Sequence, residues 1–477
     1  GQIRVGENKE FERTLREDSY EFVSKVIRLE PGQTEEIVLV QTFGFSETDL
    51  QTKEPQVINA LNSPNAFFEI NELTWGGYVS HLQLTMRPAL GTAENERIAV
   101  KCLETLINNW RSPAGQLKHN GLFPSYNYKW FNGFWAWDSW KHAVALKYID
   151  PAIAKDQIRA MFDFQDEYGM IADCVYRDNL IEDNNWRNTK PPLSAWAVWE
   201  VYQEDLDTSF IHEMLPKLEA YHNWWYNYRD HDKNGLCEYG STDGTLIAGK
   251  WESGMDNAVR FDQSSILKNA ENAWSLNQES VDLNAFLAAE KNYLGRLYAA
   301  IGEIEKSESY VEQANKLKDK IQTLFFDEQT GWFYDIEIQS KKHIKVMGSE
   351  GWIPLWTGMA TPEQAEKVRE TMLDTAKFAT YIPFPTLAAD HPKFTPQNGY
   401  WRGPIWLDQV YFGISALEKY GYQEDADRFT QNVLDRLEGL KNDDLPIREN
   451  YHPLTGAGME AKHFSWSAGH LLMLLCE

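Results

Sequence analysis

The chain has 477 residues, too many for one typical domain, and 43% hydrophobic with 25% charged residues is ordinary globular usage. Its 46 basic against 71 acidic residues leave a net charge of −25, which argues against a nucleic-acid partner, since that needs a basic face. No apolar run approaches the roughly 18 residues of a membrane span, and the scattered Cys102, Cys174, Cys237 and Cys476 form neither a zinc spacing nor a disulfide framework.

Residues 1–45 predict strands. The stretches 19–29 and 35–45 are rich in Val, Ile, Phe and Thr, with a turn at Pro31, Gly32 and Gln33 between them. So few strands make a poor domain alone, so 1–45 is expected to be the remnant of an N-terminal β-sandwich. The chain begins without Met and without a signal peptide. A periplasmic or secreted location is expected if a signal peptide was lost with the missing strands. Residues 46–91 predict a helical linker.

From residue 92 to 477 helical patterns dominate. They predict helices over 94–109, 139–148, 152–168, 194–203, 209–228, 281–301, 306–325, 362–374, 406–420, 423–437 and 464–475, several with the apolar i, i+3, i+4 spacing of one buried face. About a dozen helices with no fixed-period repeat predict a mainly α fold of paired helices closed into a toroid, rather than a solenoid. The long loops between them, rich in Gly, Trp, Asn and Asp, are where function is expected.

Several loops carry candidate chemistry. Trp, Tyr and Phe together make 13% of the chain. They concentrate between Trp130 and Trp140, where Asp138 sits among Trp130, Phe134 and Trp135. That segment reads as a sugar platform with Asp138 accepting hydroxyl hydrogen bonds, or as a core plug with Asp138 or Ser139 capping a helix. Glu252 and Asp256 lie four residues apart beside Trp251 and Gly254. An acid against an aromatic wall loses solvation of its charged form and becomes a proton donor near neutral pH. Glu449 lies between Arg448 and Asn450, as an ion-pair partner or as a carboxylate that activates water. Tyr400, Trp401 and Arg402 form another aromatic lip before a helix.

Asp230, Asp232 and Asn234 stand at positions 1, 3 and 5 of a calcium-type loop. Gly235 falls at 6, the Leu236 carbonyl at 7 and Glu238 at 9. Position 12 is Ser241 rather than the usual Glu, so a distant acid would have to complete the shell; the alternative is an Asx-rich turn with no ion.

These segments together resemble glycoside hydrolase family 63. The residues that carry the resemblance are the Trp130–Trp140 cluster, 185–193, 251–257, 279–286, 399–406, 449–456 and 464–470. The likeness is strongest to the bacterial α-glucosidases of the YgjK type, and it covers about residues 110–477. It implies an (α/α)6 barrel and hydrolysis of an α-glucosidic bond with inversion. It implies Asp256 as general acid and Glu449 as general base. It implies a calcium site of Asp230, Asp232, Asn234, Leu236, Glu238 and the distant Glu279. Trp130, Phe134, Trp135, Asp138, Trp186, Trp251, Tyr400, Trp401 and Arg402 are expected to bind the sugar. The two acids are 193 residues apart in sequence, so they can meet only across a closed cavity, and an inverting pair needs roughly 6.5–9.5 Å for the water between them. The expected partner is an oligosaccharide or disaccharide, with neither nucleic acid nor membrane, and the expected state is a monomer. Trehalases and mannosylglycerate or glucosylglycerate hydrolases resemble the same segments. A non-catalytic carbohydrate-binding barrel is the alternative of another class.

Overall fold

Four strands open the chain: β1 (Gln2–Glu7), β2 (Phe11–Leu15), β3 (Tyr20–Ser24) and β4 (Leu39–Gly44). They form two antiparallel ribbons, β1 with β4 and β2 with β3. The turn at Pro31 and Gly32, where Gly32 adopts a φ of +83°, therefore joins strands of different ribbons. β4 covers only part of the expected 35–45 strand, whose last residue lies outside the described residues. α1 (Glu47–Asn62) and α2 (Pro64–Thr85) occupy the stretch read as a linker, and the Ser46 side chain caps α1 by accepting the Asp49 N–H. The structure, a computed structural model, describes residues 2–16, 19–44, 46–441 and 444–476. It divides into one unit of residues 1–80 and a second of residues 81–477, with the boundary inside α2.

The second unit is helical. Its remaining helices are α3 (Ala93–Asn108), α4 (Ala136–Leu146), α5 (Pro151–Phe162), α6 (Ser194–Asp205), α7 (Thr208–Tyr228), α8 (Leu246–Trp251), α9 (Val281–Ala300), α10 (Ile304–Lys320), α11 (Ile353–Trp356), α12 (Pro362–Met372), α13 (Leu407–Lys419), α14 (Gln423–Arg436) and α15 (Ser465–Cys476). α4, α6, α9, α11, α13 and α15 each touch the next, and α15 touches α4, so these helices close a ring. α3, α5, α7, α10 and α14 lie outside it against α15, α4, α6, α9 and α13, and α12 packs on the short strand Trp332–Phe333. This is an (α/α)6 barrel.

Burial follows from position in the two layers. α14 buries Asp425, Ala426, Phe429, Thr430, Val433 and Leu434, the single stripe expected of an outer helix. α15 is buried along almost its whole length, because it has the ring interior on one side and α3 on the other. α5 stops at Phe162, short of the expected residue 168. There the Asp166 carboxylate accepts the N–H groups of Tyr168 and Met170, and Gly169 takes a φ of +97°. α8 and α11 were not legible as helices; each is a turn or so long, and α11 carries a proline.

Candidate active site

The loops entering α4, α6, α13 and α15 meet around a tight cavity of about 80 Å³ bordered by Asp138, Asp256 and Glu449. Aromatic rings make most of its wall. Trp401 stacks on Trp406 with centroids 4.1 Å apart, and Trp137 meets Trp466 edge to face at 4.7 Å. Against the last two rings lies the ammonium of Lys141, 3.4 Å and 3.8 Å from their centres and 2.9 Å from the Asp408 carboxylate. Burial pushes Asp138 up to about 7, with the charge of Lys141 opposing it. Neither Asp138 nor Ser139 caps α4. Trp135 is the capping residue, and the Ser139 hydroxyl donates back to the Trp135 carbonyl at 2.7 Å.

The two carboxylates of the 251–257 segment have separate fates. Glu252 is fully buried. It pairs with Arg229 through both oxygens at 2.7 and 2.8 Å and also accepts the N–H groups of Gly240 and Thr189. Every lone pair it could offer a substrate is taken. Asp256 borders the cavity, and among the described residues no side chain hydrogen-bonds its carboxylate. Burial pushes it up to about 6. Between them, Gly254 takes a φ of +73°, and a Cβ there would lie 2.2 Å from the Trp137 ring, so only glycine lets the acid loop reach the aromatic wall.

Glu449 lies on the strand Arg448–Tyr451, paired with Gly458–Lys462. Neighbours on a strand face opposite ways. Arg448 donates to the Met459 carbonyl instead of pairing with Glu449, and the Glu449 carboxylate turns inward, where it accepts the Ala461 N–H at 3.1 Å. The backbone of Glu449 is also held, its carbonyl accepting the Ser467 hydroxyl. Burial pushes its carboxyl up to about 7, and the charges of Glu460 and, less, Asp256 add to the rise.

A second, wider cavity of about 620 Å³ adjoins the first. Both are bordered by Phe131, Trp135, Lys190, Asp256 and Tyr400. Glu449 and Asp138 border only the inner one, whereas Trp186, Trp251 and Asp173 border only the outer one. Asp256 thus stands at the junction and Glu449 away from it.

The other expected sugar contacts separate by position. Trp135, Trp186, Trp251, Tyr400 and Trp401 line one cavity or both. Trp130 is 60% exposed beneath the Lys129 ammonium, and Phe134 is fully buried against Phe123; neither borders these cavities. Arg402 pairs with Asp262, donates to the Asn257 carbonyl at 2.7 Å and borders a third cavity, which Asp256 also borders. It acts as a clamp, because Asn257 also accepts the Trp401 N–H at 3.0 Å and donates to the Gly399 carbonyl at 3.1 Å. These bonds tie the acid loop to the Tyr400 loop, where Tyr400 itself holds a left-handed φ of +58°. Asp173, Lys190, Trp137, Trp406 and Trp466 were not singled out from sequence. The rings and Lys190 lay within noted segments, but nothing in the local pattern marks Asp173.

In the calcium-type loop, Asp232, Glu238 and Glu279 bring carboxylate oxygens within 4.8 Å of one another. Gly235 takes a φ of +79°, and Asp230 accepts the N–H groups of Asn234 and Gly235. The Asn234 side chain accepts the Leu236 N–H and donates to Glu279. The Lys341 ammonium lies 3.1 Å from Asp232 and 2.9 Å from Glu279, and Glu238 keeps one buried oxygen with no partner. An oxygen-only donor set with an orphaned carboxylate oxygen fits a hard cation.

The model of the mannosylglycerate hydrolase MGH1-like glycoside hydrolase domain matches residues 132–467. The chain belongs to this glycoside hydrolase family. It is 25% identical over 431 residues to the mannosylglycerate hydrolase of Thermus thermophilus, covering 77% of this chain and 98% of that one. It is 22% identical to the glucosylglycerate hydrolase of Mycolicibacterium hassiacum, covering 71% and 90%. The crystal structure of the family 63 mannosylglycerate hydrolase from Thermus thermophilus in complex with glucose matches with a TM-score of 0.65 at 22% identity, over 79% of this chain and 99% of that one. That likeness establishes the shared barrel. The chain is thus a glycoside hydrolase of the MGH1-like family, and these relatives are named for glycerate glycosides rather than for the α-glucosidases its motifs resemble.

Proposed function

We propose that this enzyme hydrolyses an α-glucosidic bond to a neutral sugar or other hydroxyl-rich aglycone, with inversion, using Asp256 as general acid and Glu449 as general base. One observation carries the assignment: Asp256 borders both cavities and Glu449 only the inner one. A glycosidic oxygen lies between the sugar and its aglycone, so the proton donor belongs at the junction of their two sites. The base that activates water belongs beside the sugar, away from the leaving group. Asp138 then binds hydroxyls of the sugar, and the Trp401 and Trp406 rings pack on its apolar faces. Inversion is what the resemblance to family 63 implies.

The charges of the outer cavity favour a neutral aglycone. Asp173, Glu182, Asp183 and Asp256 line it against Lys190 and Arg187. Both cations are engaged, Lys190 with Asp173 at 3.3 Å and Arg187 with Asp243 at 2.6 Å. A glycerate carboxylate would enter a predominantly negative field in which, among the described residues, both lining cations already have acidic partners. The second reading, a mannosylglycerate or glucosylglycerate hydrolase, is supported by the names and coverage of the relatives. Proton NMR of fresh reactions with α-linked glucobioses, trehalose, mannosylglycerate and glucosylglycerate separates the two. β-Glucose as first product from a glucobiose is expected; turnover of the glycerate glycosides alone would establish the second reading, and α-glucose first would overturn inversion.

We further propose a structural calcium ion held by Asp230, Asp232, Asn234, the Leu236 carbonyl, Glu238 and Glu279. An ion that binds only the folded chain stabilises it by about 2.7 kcal/mol at a hundredfold excess over Kd. Chelation should therefore lower Tm by a few degrees, and added calcium should restore it. An unchanged Tm in both directions, with no calcium in the purified protein, would exclude the site.

A further inference from the structure

We infer that Lys190 and Asp173 form a charge pair that sets the proton affinity of Asp256, and through it the pH at which the enzyme works; this rests on Asp256 being the general acid. The Lys190 backbone is fixed. Tyr221 donates to its carbonyl at 2.6 Å, the preceding Thr189 N–H donates to Glu252 at 3.1 Å, and Pro191 follows. Its side chain is buried, and the ammonium donates to the Trp251 carbonyl at 2.5 Å, at the last residue of α8. It stands 3.3 Å from one Asp173 oxygen, which has no hydrogen bond of its own; the other Asp173 oxygen accepts the Asn185 amide at 2.6 Å. An ammonium offers three donors. One goes to Trp251 and its charge leans on Asp173, while the same side chain borders both cavities beside Asp256.

The charges around Asp256 give this pair its leverage. Burial disfavours the ionised acid most; Lys190 is the leading charge against that effect and Asp173 the leading charge with it. In the inner cavity Asp256 is joined by Glu449, Asp138 and Tyr400. In the outer one it is joined by Glu182, Asp183 and Arg187, the last paired with Asp243. Lys250, Asp262 and Arg402 border the third cavity at Asp256, the last two paired with each other. Among the described residues, Lys190 is therefore the one cation that borders both substrate cavities.

The test is the pH dependence of kcat/KM for the full chain. A bell is expected with its optimum between about 6 and 7; because Asp256 is pushed to about 6 and Glu449 to about 7, the working form, Asp256 protonated and Glu449 ionised, is the minor of the two singly protonated forms there. Lys190→Met removes the cation, so Asp256 should hold its proton to higher pH by roughly one unit. The optimum, which is the mean of the two titrations, should move up by about half a unit. Asp173→Asn should move the optimum down, and the double variant should return it towards wild type. Loss of structure would lower rates without opposite shifts. Should Lys190→Met fail to fold, Lys190→Gln carries the same expectation. An unchanged optimum in both single variants, or shifts in one direction, would overturn the pair.

Isotope-edited infrared titration of ¹³C-aspartate protein reads Asp256 without turnover, the band being assigned by its loss in Asp256→Asn. Opposite shifts of that band, with full activity in Asp256→Asn, would keep the pair and sink the acid assignment. Loss of activity in Asp256→Asn without shifts would sink the pair and keep the acid.

Discussion

Asp256→Asn should lower kcat on an unactivated α-disaccharide by about 10²–10⁴-fold, the range that general acid catalysis supplies. The isosteric amide keeps the shape of the loop. Glu252, which fixes that loop to Arg229, is untouched, so the barrel and sugar binding should survive. KM should change little beside kcat. The diagnostic is the leaving group. Fluoride departs with far less help from a proton, so an α-glucosyl fluoride should lose much less rate than a disaccharide does. An equal loss on both substrates would mean that Asp256 does something other than protonate the leaving oxygen. Wild-type kcat on the disaccharide would remove it from the reaction altogether.

The barrel was legible because its outer helices must bury one stripe each, and a 3.6-residue period shows directly in sequence. α14 is such a case. Among the inner helices α15 shows instead as a nearly continuous apolar run, because it is buried along almost its whole length. α11 escaped because a four-residue buried helix with a proline has no period to read. At the site, Asp256, Glu449 and Asp138 were found through the local company they keep and through resemblance. What the local pattern alone, without the resemblance, could not rank was Glu252 against Asp256. Both are acids beside Trp251, and only the fold shows that Arg229 and two backbone N–H groups saturate the first. Arg402, Phe134 and Trp130 show the converse. They belong to site-forming segments, yet a clamp, a core position and an exposed ring are where the structure puts them. Asp173 was invisible because it meets Lys190 only through folding, 17 residues away in sequence and 3.3 Å away in space.

Glu449→Ala should be as damaging as the loss of the acid, about 10²–10⁴-fold, but with a different signature. The base acts on water and not on the leaving group, so the loss should be similar for a disaccharide and for the fluoride. Glu449 is held by the Ala461 N–H on one oxygen only, and its backbone carbonyl is fixed by Ser467, so removing the side chain leaves the Arg448–Tyr451 hairpin in place. The truncated residue also opens space on the face from which water attacks. Azide is a nucleophile that needs no proton removed. It should enter that space and displace fluoride from the α-glucosyl donor, forming the C–N bond as the C–F bond breaks. The product of such a displacement by inversion is the β-glucosyl azide. Recovery of rate with azide and a β-linked azide product would fix Glu449 as the base. Recovery with an α-linked azide would instead point to an intermediate on the enzyme, and no recovery together with a leaving-group-dependent loss would transfer the base to another residue, for which Asp138 is the remaining carboxylate in the inner cavity.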